Sequence, residues 1–275
     1  MSLVTMDKLL KDARGRKQAV GGFNVSSIEM ILGVIHAAEK WKTPVILQVA
    51  EGRLATSPLY ILGPAMLAAA KAANVEVAVH LDHGQTFGCI QQALDIGFTS
   101  VMFDGSKLSL QENIEQTRKV LDMARPYGAS VEAEIGSVGR SETGEDSAAV
   151  CASPEDGIAF LKEAPVSALA VAIGNAHGVY VGDPVLHFDV LEELQKHTDT
   201  PFVLHGGTGI SPADFRKAIT LGMNKINIAT ASFLASANAA QGHANDYFGM
   251  SRAMADAVQE VVEEHMQIFG IMPQA

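Results

Sequence analysis

Cysteine is scarce in this sequence. Two occur in 275 residues, Cys89 and Cys151, far apart and in no Cys-x-x-Cys pair, so no disulfide framework is implied. Two reduced thiols in a cytoplasmic protein are expected. Long apolar runs are missing too. The most apolar helix-like stretch, Ile61 to Ala70, is too short to cross a bilayer and closes at Lys71. The first residues, Met1 to Lys8, are interrupted by acid and base, so no signal peptide is expected. Positive charge is in deficit, with 20 Lys and Arg against 31 Asp and Glu and a formal net charge of −11. Such a chain repels nucleic acid and anionic membranes, and neither is expected as a partner. The same field repels anionic metabolites at long range, so an anionic substrate needs local donors or a metal. No low-complexity segment or Gly/Pro/Ser linker divides the chain.

What is present is alternation. Eight apolar runs bounded by Gly, Pro, Asp or Asn read as strands buried on both faces: 21–25, 44–49, 75–81, 99–103, 129–134, 168–173, 201–204 and 224–228. Between them lie helical segments such as 27–40, 85–96, 111–125, 153–162 and 211–221. Ser153-Pro154 and Ser211-Pro212 are helix-start signals with proline at the first helical position. Eight strand–helix units predict a closed parallel (β/α)8 barrel, a TIM barrel of the α/β class. The whole chain, 1–275, reads as one such domain with a C-terminal helical extension. An open doubly wound sheet would need a Gly-rich dinucleotide turn after the first strand, and Gly21-Gly22-Phe23-Asn24 does not supply it. The polar segment from Gly136 to Ala152 is expected to form a lid loop after strand five. The run from Met250 to Phe269 reads as an amphipathic helix facing core or a subunit interface.

In such a barrel the chemistry lies at the C-terminal ends of the strands. The polar residues there are Asn24, Gln48, the run His80-Leu-Asp82-His83, Asp104, Glu134, the run Asn175-Ala-His177-Gly178, the run His205-Gly-Gly-Thr208-Gly209, and Asn227 through Thr230. A single histidine at a strand end is more often a hydrogen-bonded structural residue than a ligand. Three at one face, His83, His177 and His205, change that reading. Three neutral imidazoles leave a dication with an open position, the pattern of a catalytic zinc site. Asp82 adjoins a ligand without sharing its strand face, which suits proton transfer beside a cation. His80 shares the parity of Asp82 and reads equally as a satisfied core histidine. Asp104 and Glu134 read either as a second metal position or as partners of the histidines. The glycines at 206, 207 and 209, before a helix starting at Ser211-Pro212, allow close backbone approach to an anion. Phosphate commonly binds at the loops after strands seven and eight. A Schiff-base lysine has no candidate: Lys225, at the start of strand eight, falls on the stability face. Nor does an early strand carry a His-x-His pair.

Together these motifs resemble the class II, zinc-dependent ketose-bisphosphate aldolases of the fructose and tagatose type. The stretches that carry the resemblance are Gly22-Phe-Asn-Val25, His80-Leu-Asp-His-Gly84, Val131-Glu-Ala-Glu-Ile-Gly136, Ala172-Ile-Gly-Asn-Ala-His-Gly178, Leu204-His-Gly-Gly-Thr-Gly209 and Lys225-Ile-Asn-Ile-Ala-Thr230. The resemblance runs from Leu3 nearly to Phe269. It implies that His83, His177 and His205 bind Zn2+, with Asp104 and Glu134 at a secondary metal position. It implies that Asp82 exchanges the C4 hydroxyl proton of the ketose. Asn24, Gln48, Gly178, Gly206, Gly207, Thr208, Asn227, Ile228, Ala229 and Thr230 would bind the substrate and its phosphate, with a monovalent cation near that site. A carboxylate on the strand-five loop, here Glu142, would protonate the three-carbon fragment. The expected reaction is reversible cleavage of a ketose 1-phosphate or 1,6-bisphosphate to dihydroxyacetone phosphate and an aldehyde, by a homodimer or homotetramer. The competing reading is a non-catalytic sugar-phosphate-binding or assembly subunit, which the intact histidines and Asp82 argue against.

Three departures from the family pattern stand out. Ala50 replaces a serine after strand two, Ala231 replaces an acid after the Asn-x-x-Thr segment, and His243-Ala-Asn-Asp-Tyr247 stands where an Asp-Pro-Arg is common. These leave the metal and proton-transfer residues untouched. They alter the arm that grips the far end of the sugar, where Arg53, Arg140 or Arg252 are the available replacements. An unusual aldehyde half is expected.

Overall fold

A computed structural model of the protein describes residues 2–140, 149–180, 182, 184–243 and 245–271. Its strands are β1 (Val20–Asn24), β2 (Val45–Ala50), β3 (Val77–Gly84), β4 (Ser100–Phe103), β5 (Ser130–Ile135), β6 (Gly139–Arg140), β7 (Ala168–Val171), β8 (Ala176–His177), β9 (Phe202–Leu204) and β10 (Met223–Ile228). Eight of them close into a parallel barrel in the order β1-β10-β9-β7-β5-β4-β3-β2, while β6 and β8 form a separate two-stranded ribbon. The eight barrel strands are those expected from the sequence, with ends displaced by three residues at most.

The helices are α1 (Met6–Gly15), α2 (Ile28–Lys40), α3 (Leu59–Ala72), α4 (Phe87–Ile96), α5 (Leu110–Ala124), α6 (Pro154–Glu163), α7 (Phe188–Leu194), α8 (Pro212–Thr220), α9 (Thr230–Gln241) and α10 (Tyr247–Ile268). Their starts follow local chemistry. Ser27, Thr86, Ser109, Ser153 and Ser211 each accept a hydrogen bond from a backbone N–H of the first turn. Ser109 also forms a reciprocal capping box with Glu112. Each such cap contributes about 1 kcal/mol.

Strand alternation divides the interior in two. Residues such as Leu47, Val79, Val101, Val131, Leu169, Leu204 and Ile226 face outward and pack with the helices into one continuous core. The opposite parity faces the lumen. There Val20, Ile46, Ala78, Ala168, Ala170 and Val203 pack against Met6, Leu9, Leu10 and Ala13 of α1. The sequence reading did not single out α1, and it closes the lower end of the barrel. Burial of Met6, Leu9 and Leu10 stabilises this plug by about 1.5–3 kcal/mol per side chain. The C-terminal helix α10 starts three residues earlier than expected and buries Ala255, Val258, Val262 and Met266. It lies so close to α2 that a Cβ on Gly33 would come within 2.5 Å of the Ala255 carbonyl oxygen. Its apolar face is therefore core within this chain. Among the described residues no helix is long and apolar enough to cross a membrane.

Candidate active site

Above the apolar layer the lumen becomes polar. A middle layer contains Gln48, His80, Ser100, Glu132, His205 and Lys225, all essentially buried. The upper layer, nearer the C-terminal ends of the strands, carries Asn24, Asp82, Asp104, Glu134 and Asn227. A cavity of about 570 Å³ opens on that upper layer, a size suited to a small phosphorylated metabolite.

Strict alternation would send His83 to the outer face if Asp82 faces inward. The structure resolves this with a break in β3. The pairing of β3 with β4 shifts register between Leu81 and Gly84. His83 takes a left-handed backbone conformation, φ 45°, which is unusual for a residue with a Cβ. Both consecutive side chains therefore line the cavity. Local strain of this kind persists where the surroundings over-determine it, commonly at functional sites.

His83 from β3, His177 from β8 and His205 following β9 converge, each offering a ligand nitrogen within 4.8 Å of the others. Their ring centroids are 4.4 to 6.1 Å apart. Second-sphere partners set the ring orientation of two of them. Asp104 Oδ2 lies 2.9 Å from His83 Nδ1, and Glu132 Oε1 lies 2.8 Å from His205 Nε2. Carboxylates only accept, so each imidazole donates there and turns its other nitrogen inward. His83 Nε2 and His205 Nδ1 then face each other at 2.7 Å. Two lone pairs at that distance repel unless a proton or cation lies between them. Glu134 Oε2, buried and without a hydrogen-bond partner, points into the same region, 3.8 Å from His205 Nδ1 and 3.9 Å from His83 Nδ1. This donor set fits a divalent cation. Asp104 also accepts from the backbone N–H and hydroxyl of Ser106, so its position is that of a partner of His83. Asp104 and Glu134 with His83 form a second possible ligand group.

The electrostatics agree. Burial raises the Glu134 carboxyl and the neighbouring Asp104 charge raises it further, to about 8. Burial opposes charge on His83, but Asp82, the hydrogen bond to Asp104 and Glu134 outweigh it and lift the imidazole to about 10. Both groups hold protons that a cation would displace. Between a carboxylate's ordinary 4.5 and about 8, native Glu134 keeps a proton that the unfolded chain has lost, so stability falls as pH rises. His83 acts in the same direction from 6.5 to about 10. Below 6.5 burial keeps His80 and His205 neutral in the native state, which acts in the opposite sense. From about 6.5 to about 10, metal-free protein is therefore expected to lose thermal stability as pH rises, and the metal-loaded form much less. A thermal-shift titration with and without zinc checks this; a melting temperature of the metal-free protein that rises over the same range contradicts it.

Asp82 is held on both sides. Asn24 Nδ2 donates to one carboxylate oxygen at 2.9 Å and Asn227 Nδ2 to the other at 3.0 Å. Gln48 Nε2 in turn donates to Asn24 Oδ1 at 2.8 Å. Burial alone would raise the Asp82 carboxyl. His83, His205, Lys225 and the Asn24 hydrogen bond outweigh it and hold the group well below the usual carboxylate range. A fixed carboxylate at the cavity floor is placed to accept a proton from a bound hydroxyl.

The anion loops lie across the mouth. Gly178, Gly206, Thr208, Asn227, Ala229 and Thr230 line the cavity. Glycine is required at 206, where φ is 66° and a Cβ would sit 2.1 Å from the Ala176 carbonyl oxygen. The expected helix N-terminus is corrected. The first turn of α8 is capped by Ser211 and Asp214 and does not line the cavity. The N-terminus of α9, which has no side-chain cap at Ala229, does. Thr208 joins the two loops by accepting from the Ala231 N–H.

A sequence profile, "Fructose-bisphosphate aldolase class-II", matches residues 4–273. The chain belongs to the class II fructose-bisphosphate aldolase family. It is 39% identical over its full length to the full length of the "Probable fructose-bisphosphate aldolase" of Bacillus subtilis. It is 38% identical to the fructose-bisphosphate aldolase of Staphylococcus aureus, over 98% of each chain. In structure it matches the YdjI aldolase of Escherichia coli K12 with a TM-score of 0.87 and 33% identity over 98% of each chain. The chain is an aldolase, a carbon–carbon lyase.

Several expected site residues of this aldolase fall elsewhere. Gln48 lies beneath the site and holds Asn24, so it does not line the cavity. The Gly207 N–H is bound to the Asn227 carbonyl oxygen at 3.0 Å and is not available to an anion. The Ile228 side chain is part of the outer core, so only its backbone faces inward structure. Lys225 is not on the stability face: its side chain is wholly buried in the lumen, 2.8 Å from Glu132. That ion pair keeps it out of the cavity, in agreement with the exclusion of a Schiff-base lysine. Glu142 lies outside the described residues, as does the middle of the expected lid, 141–148. The ends of that loop are joined by paired hydrogen bonds between Ser137 and Val150, and the Arg140 backbone pairs with His177.

The sequence reading of the aldolase placed Asn175 at the reactive face without a role, and it did not single out Glu132 or Tyr180. Asn175 Nδ2 donates to the His205 carbonyl oxygen, and Tyr180 Oη links the Ala176 N–H to the Gly206 carbonyl oxygen. Both tie the His177 loop to the His205 loop. Glu132 was visible in Val131-Glu-Ala-Glu-Ile135, where period-two alternation sends both acids inward. Tyr180 gave no comparable signal.

Proposed function

We propose that the chain is a zinc-dependent aldolase that cleaves a ketose 1-phosphate, of fructose or tagatose type, to dihydroxyacetone phosphate and an aldehyde. It accepts a 1,6-bisphosphate without requiring the far phosphate. The observation that carries this reading is Asp82, fixed by Asn24 and Asn227 beside three convergent histidines and across from a glycine-rich loop.

His83, His177 and His205 would hold the cation, with Glu134 able to join them. When bound, zinc serves as a Lewis acid toward the C2 carbonyl oxygen, stabilising the developing negative charge by several kcal/mol. The chain's own groups do the rest. The N-terminus of α9, with Gly178, Gly206 and Thr208, holds the C1 phosphate. Asp82 accepts the proton of the C4 hydroxyl, the C3–C4 bond breaks, and C4 leaves as an aldehyde carbonyl. The electron pair remains on the three-carbon fragment, and Glu142 delivers a proton to C3.

Among the described residues the far end of the substrate has no comparable cradle. Residues 243 and 245–247 do not line the cavity, nor does Arg252 on α10, and Ala50 offers no hydroxyl. Among the described side chains the cations that line it, Arg53 and Lys107, are both exposed, and the Arg140 side chain lies outside that set. Exposed charges contribute about 1 kcal/mol or less. In a coupled condensation assay with dihydroxyacetone phosphate, phosphorylated and unphosphorylated aldehydes of equal length are therefore expected to differ by less than about tenfold in kcat/KM. A preference for the phosphorylated aldehyde of a thousandfold would contradict this.

A further inference from the structure

Lys225 and Glu132 have no part in the chemistry above, yet both are wholly buried in the layer directly beneath it. Lys225 Nζ lies 2.8 Å from Glu132 Oε2, and Glu132 Oε1 lies 2.8 Å from His205 Nε2. His80 Nε2 is 3.5 Å from Glu132 Oε2, while His80 Nδ1 meets Ser100 Oγ at 2.7 Å. A buried ion pair is weak as a source of stability, because desolvation offsets the attraction. Its donors and acceptors, however, form a one-way chain. An ammonium can only donate and a carboxylate can only accept.

We propose that Lys225 and Glu132 are a positioning pair for His205. Glu132 Oε1 selects the imidazole tautomer with the proton on Nε2, leaving the Nδ1 lone pair turned toward the cation. Lys225 donates to the other carboxylate oxygen, so Glu132 stays aimed at His205 in a place without solvent. The contrast with His83 supports this. Its carboxylate, Asp104, lines the open cavity and is steadied by Ser106. Glu132 lies out of reach of the cavity and is steadied by Lys225. This inference rests on the reading of His205 as a zinc ligand.

The test is zinc affinity, measured by competition with a chromophoric chelator, for the wild type, Lys225→Met, Glu132→Gln and the double variant. Lys225→Met is expected to weaken zinc binding about 10- to 100-fold, the usual effect of losing an outer-sphere partner. The double variant is expected to bind no more weakly than Lys225→Met alone. Wild-type affinity in Lys225→Met, or losses that multiply in the double variant, would overturn the proposal. If the variants do not fold, 15N NMR of zinc-loaded wild-type protein decides the matter. A His205 ring protonated at Nε2 and zinc-bound at Nδ1 supports the pair, and the opposite tautomer overturns it. Failure of the wild type to take up one zinc per chain would sink the metal reading itself, and this inference with it. Zinc uptake with the wrong tautomer or unaltered variant affinity would sink this inference alone.

Discussion

The Asp82→Ala variant is expected to lose about 10³-fold in kcat for carbon–carbon cleavage, within the range of a positioned general base, while still binding one zinc per chain. The two effects separate because Asp82 is not in the ligand group formed by the three histidines. Its role is set by Asn24 and Asn227, which donate to opposite carboxylate oxygens. Removal leaves both buried amides without an acceptor, at about 1–3 kcal/mol each unless water replaces it. Asparagine at this position offers one acceptor to two donors, so it does not rescue. A partial reaction sharpens the test. Exchange of the C3 hydrogen of dihydroxyacetone phosphate with solvent needs a base for a carbon acid, the role proposed for Glu142, and needs no C4 hydroxyl. Asp82→Ala should retain that exchange, and Glu142→Gln should lose it. Loss of exchange and cleavage in equal measure in Asp82→Ala would contradict the assignment.

Removing the metal is expected to have an effect at least as large. Chelator-treated protein should lose about 10³-fold or more in activity, the equivalent of several kcal/mol of Lewis-acid stabilisation, and regain it with zinc. His205→Ala should not be rescued by zinc at comparable concentrations. That substitution removes one of three imidazoles, and it also leaves the Glu132 oxygen that faced His205 without its donor. Full activity after exhaustive chelation would end the metal-dependent reading.

The barrel was legible because its signal is repetitive. Eight apolar runs with turn residues between them leave few arrangements, and the strand ends then place His83, His177 and His205 on one face. The details that were not legible are of another kind. The left-handed backbone at His83, which lets two adjacent residues face the same cavity, follows from the register shift between β3 and β4. No propensity rule announces such a shift. Lys225 was misplaced because a lysine near a strand start reads as exposed, whereas here a carboxylate across the lumen compensates its burial. The anion-binding helix was taken as α8 from its Ser-Pro start. That same serine caps α8, and the first turn of that helix does not line the cavity. The N-terminus of α9, at Ala229 and Thr230, is the one that does. The sequence pattern identifies residues by type and period, while the choice among neighbours depends on contacts that only the closed barrel defines.

The most direct test of the account is an anomalous-difference map from crystals of the zinc-loaded protein, recorded at the zinc absorption edge. The account predicts one strong peak per chain, about 2.0–2.1 Å from His83 Nε2, His205 Nδ1 and a ring nitrogen of His177. An active protein whose zinc peak lies away from these three histidines would contradict it.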